Sequence, residues 1–263
     1  MPQIKDAAQE RSAFDLYVRE VSLMEELPEG SYLHDLPVVR ALSEEPITFH
    51  CPVTFFVGEN GTGKSTLIEA LAISMGFNPE GGTRNFCFST EETHSELYRC
   101  LRVAKGVRRM QDGFFLRAES FYNVATNIDE MDREPSFGAP VIDSYGGVSL
   151  HEQSHGESFM ALVENRFGGN GLYILDEPEA ALSPMKLMRL MCKMNTLVSR
   201  NSQFIIATHS PILMTFPKSE TYELTADGIR SVDYRETQHY QMTRRFLENP
   251  EKMLKLLFGQ DNK

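Results

Sequence analysis

Residues 58–66 read GENGTGKST: a glycine at each end of a short loop, then a lysine, then two hydroxyls. Gly58, Gly63, Lys64 and Ser65 fit the spacing G-x-x-x-x-G-K-[ST]. Glycines let the backbone turn sharply, so that successive N–H groups point at phosphate oxygens. A helix that starts at the end of the loop adds the positive end of its dipole. In this reading the segment Glu59, Asn60, Gly61, Thr62 and Thr66 wraps the phosphates, Lys64 reaches the β- and γ-phosphates, and the Ser65 hydroxyl binds Mg²⁺.

The spacing carries that meaning only between a strand and a helix. Upstream, ITFHCPVTFFVG (47–58) ends in a continuous apolar run, which suits a strand buried on both faces. Downstream, STLIEALAISMGF (65–77) puts Leu67, Ala70, Leu71 and Met75 on one helical stripe. The loop therefore predicts nucleoside triphosphate binding and leaves the NTPase class open.

The chain has 263 residues, enough for one domain with a sizeable subdomain or two closely joined domains. A net charge of −11 disfavours binding of the whole surface to nucleic-acid phosphates or acidic lipid. Arg99, Arg102, Lys105, Arg108 and Arg109 form a local basic run, which reads either as a nucleic-acid patch or as a solvated strand and turn. No apolar run is long enough to span a membrane, and the polar start MPQIKDAAQERSAFD is unlike a secretory signal. The expectation is a cytoplasmic protein without membrane insertion. Cys51, Cys87, Cys100 and Cys192 lack any C-x-x-C spacing and are expected to be scattered, buried side chains.

Apart from the loop's flanks, FDLYVREVSLM (14–24) reads as a strand, and SFMALVENRF (158–167) as an amphipathic helix. GLYILDE (171–177) and QFIIATHS (203–210) read as buried strands around a helix over 185–198, whose methionines are expected to fill core. ETYELTADGIRSVDY (220–234) reads as a hairpin around Asp227-Gly228, and a helix broken near Pro250 closes the chain. Between 78 and 150 the signals are weaker: FCF (86–88), LYRCLRVA (97–104) and GFFLRA (113–118) suggest strands, and residues 126–147 read as an acidic loop. Buried strands that alternate with helices predict an α/β core with a mainly parallel sheet.

Two of those strands end in chemistry. Asp176 and Glu177 follow an apolar run; the acids serve either solubility or, respectively, Mg²⁺ binding and orientation of an attacking water as general base. His209 ends the next apolar run, 33 residues after Asp176. A lone histidine there is most often structural, yet in a parallel sheet both strand ends share one edge, where His209 would contact the γ-phosphate. SHGES (154–158) opens the helix before the Asp176 strand; Ser154 suits an N-cap, and Gly156 with the helix start suits an anion site or an ordinary cap.

GENGTGKS, SHGES, LDEPEAALS and ATHS, in this order and spacing, resemble the Walker A, signature, Walker B with D-loop, and H-loop of the ABC-type ATPases. The likeness is to the soluble branch: ATPase heads of SMC and RecF-type DNA-repair proteins and stand-alone predicted ATPases of bacteria. It covers roughly residues 14–215. It implies a P-loop NTPase fold in one domain, with a core over about 14–77 and 168–235, N-terminal antiparallel β strands, an inserted subdomain over about 78–167 and a C-terminal helical segment from about 236. Three departures stand out. His155 occupies a position where the family has glycine. Glu119 in FFLRAES stands where the family has a metal-binding glutamine, with Gln111 as a decoy before the strand. The 89 residues between Lys64 and Ser154 carry no heptads, so no coiled-coil arm is expected there.

The resemblance further implies ATP and Mg²⁺ as cofactors and a head-to-tail homodimer. One subunit would supply the loop with Lys64, Ser65, Asp176, Glu119, Glu177 and His209; the other would supply Ser154 and Gly156. An aromatic from the N-terminal strands stacks on adenine in the family. Tyr32 is the candidate here, with a plain turn tyrosine as the alternative. DNA or a protein is the expected partner, in repair or defence. The alternatives are the nucleotide-binding subunit of a transporter, and an ATP-gated clamp with little turnover.

Overall fold

The computed structural model describes residues 15–24, 27–84, 95–133 and 140–259. Along the chain run β1 (Val18–Leu23), α1 (Pro37–Glu44), β2 (Ile47–Thr48), β3 (Val53–Gly58), α2 (Lys64–Ser74), α3 (Leu97–Cys100), β4 (Leu101–Lys105), β5 (Asp112–Arg117) and α4 (Phe121–Arg133). They are followed by α5 (His155–Arg166), β6 (Gly171–Asp176), α6 (Pro184–Ser199), β7 (Gln203–Ala207), α7 (Pro211–Met214), β8 (Glu220–Thr225), β9 (Gly228–Val232), α8 (Gln238–Glu248) and α9 (Pro250–Leu257).

Among the described residues, six strands form the central sheet in the order β5-β6-β7-β3-β8-β9. All neighbours are parallel except β8 and β9, which form the expected hairpin closed at Thr225↔Gly228. A smaller antiparallel sheet, β2-β1-β4, lies beside it. The expected α/β class with a mainly parallel sheet and N-terminal antiparallel strands is thus what the chain forms. β5 lies inside the stretch expected as an inserted subdomain, yet it pairs with β6 along its whole length as the edge strand of the central sheet.

Strand period two explains why β3, β6 and β7 are buried at every position. Val53, Phe55, Val57, Tyr173, Leu175, Phe204 and Ile206 face one core, shared with α4, α5, α6 and α7. Phe56, Leu172, Ile174, Ile205 and Ala207 face a second core, shared with α1, α2 and β1. A sheet covered on both faces needs such uninterrupted apolar strands.

Several local expectations need correction. Residues 126–133, the first part of the expected acidic loop, belong to α4. Its buried stripe, Phe121, Val124, Ala125 and Ile128, is helical in spacing, and the expected loop begins in the middle of that stripe. Residues 97–100 are helical, with the strand confined to 101–105. ITFHCPVTFFVG holds two strands in different sheets. On α6, Met194 is buried, but Met185 is 71% exposed and Met188 45%, so only part of that methionine row fills core. Cys100 is buried, while Cys51 is partly exposed and Cys192 exposed. FCF and Cys87 lie outside the described residues.

Candidate nucleotide site

Parallel strands point their C-terminal ends the same way, so β3, β5, β6 and β7 deliver the segments after them to one edge of the sheet. β3 delivers the loop that starts at Gly58, β6 ends on Asp176, and β7 runs on through Thr208 to His209. Register sets the lateral order: Arg117 pairs with Asp176, and Asp176 with Ala207.

The loop needs its glycines. At Gly58 (φ +144°) a Cβ would lie 2.2 Å from the Leu224 carbonyl oxygen. At Gly63 (φ +92°) it would lie 2.4 Å from Val38 Cγ1, where α1 packs on the loop. Thr62 closes the turn by donating to the Glu59 carbonyl at 2.9 Å. Lys64 is buried at the start of α2, and its Nζ donates to the carbonyls of Gly58 and Glu59 at 2.8 and 2.9 Å. Burial pushes its pKa down, against the pull of Glu177, Asp176 and Glu179.

Ser65 Oγ donates to Asp176 Oδ1 at 3.1 Å. Asp176 is buried, which pushes its carboxyl up to about 6 against the opposing Arg117. Arg117 Nε lies 3.4 Å from Asp176 Oδ2, and the same guanidinium pairs with Glu69. Glu119, exposed just past β5, also acts on the Asp176 charge. Gln111 precedes β5, at the opposite end of the strand.

Glu177 sits in the left-handed region (φ 49°), and its N–H donates to the Ala207 carbonyl at 3.0 Å. That conformation is uncommon for a residue with a side chain; the Glu177 carboxylate lies beside His209, with 3.3 Å between Glu177 Oε1 and His209 Nε2. Glu179 accepts from Thr208 Oγ1 at 2.8 Å and from the His209 backbone N–H. Burial raises the Glu179 carboxyl, and these donors hold it back. His209 Nδ1 is 3.0 Å from His239 Nε2 on α8.

A cavity of about 570 Å³ opens over Glu59, Asn60, Glu177, His209 and His239. A second, of about 480 Å³, lies along the loop against Pro37, residues 223–227 and the start of α8. Tyr32 stands on an exposed turn and lines neither. Ser154 and Gly156, at the start of α5, pack elsewhere. Ser154 N–H donates to the Glu157 carboxylate at 3.1 Å, and Gly156 faces the Ala181 carbonyl in the segment after Glu177. His155 is held by neighbouring rings, stacked on Tyr122 at 5.6 Å and edge-on to Phe121 at 5.5 Å.

The donor set fits Mg²⁺ and a triphosphate. A hydroxyl beside one carboxylate suits an ion that keeps several waters and takes its other oxygens from phosphate, and among the described residues no cluster of three or more metal-binding side chains offers a fuller cage. The buried atoms His209 Nε2 and Arg117 Nε, which have no aligned hydrogen bond, both lie at this edge. Sequence reasoning did not identify Arg117, Glu179 or His239. Glu179 and Arg117 stand within the quoted motifs LDEPEAALS and FFLRAES, whereas His239 has no local signal.

Residues 38–117 match the AAA domain family, and residues 148–215 match a family described as "AAA domain, putative AbiEii toxin, Type IV TA system". A curated relative, the retron Vc95 probable ATPase of Vibrio cholerae serotype O1 biovar El Tor, is 29% identical over 134 residues, 44% of this chain. The match spans 25% of that protein's own length. CbiO1 of Clostridium perfringens, part of the ABC transporter complex CbiONQ, superposes with a TM-score of 0.50 at 16% identity over 89% of this chain and 96% of its own. An ATP-binding cassette of another ABC transporter gives 0.50 at 13% identity, over 89% of this chain and 98% of its own. These two likenesses concern the fold. With AAA-domain matches over two segments that together hold β3, β5, β6 and β7, a fold like that of the cassettes and the phosphate loop at the sheet edge, the chain is similar to P-loop ATPases.

Proposed function

We propose that the protein is an ATPase that works as a nucleotide-driven dimerisation switch, with each ATP held between the loop of one copy and the turn at Ser154 and Gly156 of a second copy arranged head to tail. The observation that carries this reading is the division of the motif residues within one chain. Lys64, Ser65, Asp176, Glu177 and His209 gather at one sheet edge. Ser154 is exposed at the start of α5, and its N–H and hydroxyl bonds stay within its own turn. A γ-phosphate gripped from both sides would hold two copies together, and its loss on hydrolysis would release them.

In this reading Lys64 balances phosphate charge and Ser65 and Asp176, with Glu119 beside them, hold Mg²⁺. The ion, when bound, neutralises charge on the phosphate oxygens. Glu177 orients the attacking water and accepts its proton, and His209 contacts the γ-phosphate through Nε2. Catalysis by such a site is mostly positioning and charge stabilisation. The retron relative supports a role in defence, and the basic run is the candidate contact for DNA: Arg99, Arg102, Lys105, Arg108 and Arg109 are all exposed, although Arg99 and Arg108 pair with Glu96 and Asp15.

The experiment is light scattering after gel filtration on Glu177→Gln with and without Mg-ATP. A dimer that forms only with ATP supports the switch. A monomer at every protein concentration, with ATP bound, overturns the shared-site half of it.

A further inference from the structure

The start of α8 is tied to the nucleotide edge, although α8 itself has no fully buried residue. Thr237, its N-cap, is fully buried. The N–H of Gln238 donates to Glu223 Oε1 at 3.1 Å, and Glu223 lies on β8 beside Val57, one residue before the phosphate loop. Arg230 holds the other Glu223 oxygen at 2.6 Å. These bonds fix the first turn of α8, so His239 is a half-buried side chain placed by a built anchor, on the wall of the cavity that also contains Glu59, Asn60, Glu177 and His209.

The two imidazoles meet through one bond, His209 Nδ1 to His239 Nε2. A neutral imidazole carries its proton on one nitrogen only, and the bond made by one nitrogen decides the state of the other. If His209 donated from Nδ1, its Nε2 would be a lone pair 3.3 Å from the Glu177 carboxylate, an arrangement of two acceptors. If His239 donates from Nε2 to His209 Nδ1, then His209 carries its proton on Nε2. That proton lies near Glu177 without an aligned bond to it and, in the reading above, is available to the γ-phosphate. Burial and the nearby Lys64 push both histidines below their ordinary pKa, which favours the neutral forms that the choice requires.

We infer that His239 is a positioning residue for ATP hydrolysis: its Nε2–H donates to His209 Nδ1 and thereby fixes the tautomer and ring orientation that present His209 Nε2–H to the γ-phosphate. This deepens the proposed role of His209 and rests on it. It also gives the C-terminal helices a direct line to the site. A shift of α8 would withdraw the donor from His209 without touching the loop.

The test is steady-state ATPase kinetics and ATP affinity on four variants, each checked for an unchanged melting curve. His239→Ala is expected to lower kcat about tenfold or more, as for loss of the partner that orients a functional histidine, while the ATP Kd stays within about threefold. His239→Gln, whose amide N–H can reach the same acceptor, is expected to recover most of the loss. A role in packing alone would not separate Gln from Ala in this way. Because His239 acts through His209, the double variant His209→Ala/His239→Ala should be no slower than His209→Ala. Wild-type turnover in His239→Ala, equal losses in the Gln and Ala variants, or a further fall in the double variant each overturns the inference. Wild-type turnover in His209→Ala instead removes the role of His209 on which it rests, and the two failures are told apart by that variant.

Discussion

Ser65 Oγ and Asp176 Oδ1 stand 3.1 Å apart although 111 residues separate them in the chain. One is the first hydroxyl after the loop lysine, and the other is the last residue of β6. The sheet places β7 between β3 and β6, all parallel, and so brings the two to one edge. The contact therefore reports the topology and the site at once.

Replacement of Asp176 by Asn should separate function from stability. The carboxylate is buried and its pKa is pushed up to about 6, so the fold bears a cost for keeping it charged at neutral pH. Arg117 keeps Glu69 as a partner in the variant. The expected outcome is a melting temperature equal to or above that of the wild type without nucleotide, with Mg-dependent turnover lowered about 100-fold or more. A normal rate would remove Asp176 from the metal site, and a clear drop in melting temperature would contradict the burial argument.

Lys64→Ala should lose nucleotide. The ammonium is held in the loop by two carbonyls, and its burial already lowers its pKa. It is charge placed where phosphate would sit. Calorimetry should find ATP binding weakened by about 100-fold or more, in line with removal of a buried charged partner. Retained affinity would count against the loop's role.

Much of this site was legible because its residues sit at the ends of apolar runs. Residues 53–57, 171–175 and 203–207 announce buried strands by composition alone, and the residue after each run lies on the shared edge. Glu179 was not legible. In the sequence it is one acid among several, and only the fold shows that it holds Thr208 and the His209 N–H. His239 lies 30 residues after His209 on a helix with no buried stripe, so periodicity gives it no role. The stripe of α4 is split in the sequence: Phe121, Val124 and Ala125 precede the acidic run, and Ile128 falls inside it. Tyr32 rests on the family resemblance alone, with no local constraint, and it lines neither cavity.

Glu179→Ala should therefore harm both fold and turnover. It strips acceptors from Thr208 Oγ1 and the His209 N–H, both in buried or half-buried positions. Buried donors left without partners cost about 1–3 kcal/mol. His209 would lose its backbone anchor, so kcat should fall while ATP affinity holds. Urea unfolding and ATPase assays check the pair; a stable variant with wild-type kcat would assign Glu179 to neither.

Asp112 predicts how stability responds to acid. It lies at the start of β5, opposite the nucleotide edge, and accepts from Tyr173 OH at 2.6 Å, the Gly168 N–H at 2.9 Å and Arg166 at 2.9 Å. Burial alone would raise its carboxyl, but the bonds from Tyr173 and Gly168 and the Arg166 charge outweigh burial and leave it below the usual range. A depressed folded-state pKa stabilises the protein above the unfolded value of about 4, and that contribution is lost as pH falls through the folded value. Asp112→Asn should cost about 1–3 kcal/mol at pH 7. Its deficit against the wild type should shrink in melts taken below about pH 4. A deficit that does not change with pH would mean that shape, and not charge, holds this corner.

Gly156→Ala tests the second half of the site without touching the first. On an open helical turn alanine is favoured over glycine by about 1 kcal/mol. At this position a Cβ would lie 2.8 Å from the Ala181 carbonyl and 3.1 Å from Lys186 Nζ. The lysine can swing away, but the carbonyl belongs to the backbone of the turn after Glu177. The first turn of α5 must then part from that turn, and with it the exposed face of Ser154 shifts. ATP affinity should be unchanged, since the loop and Asp176 lie elsewhere. ATP-induced dimerisation and turnover should both fall. Adding Lys186→Ala should not restore them, because it leaves the carbonyl in place. If Gly156→Ala dimerises and hydrolyses ATP like the wild type, the α5 turn is not the partner surface. If ATP binding fails as well, the turn serves the site within its own chain.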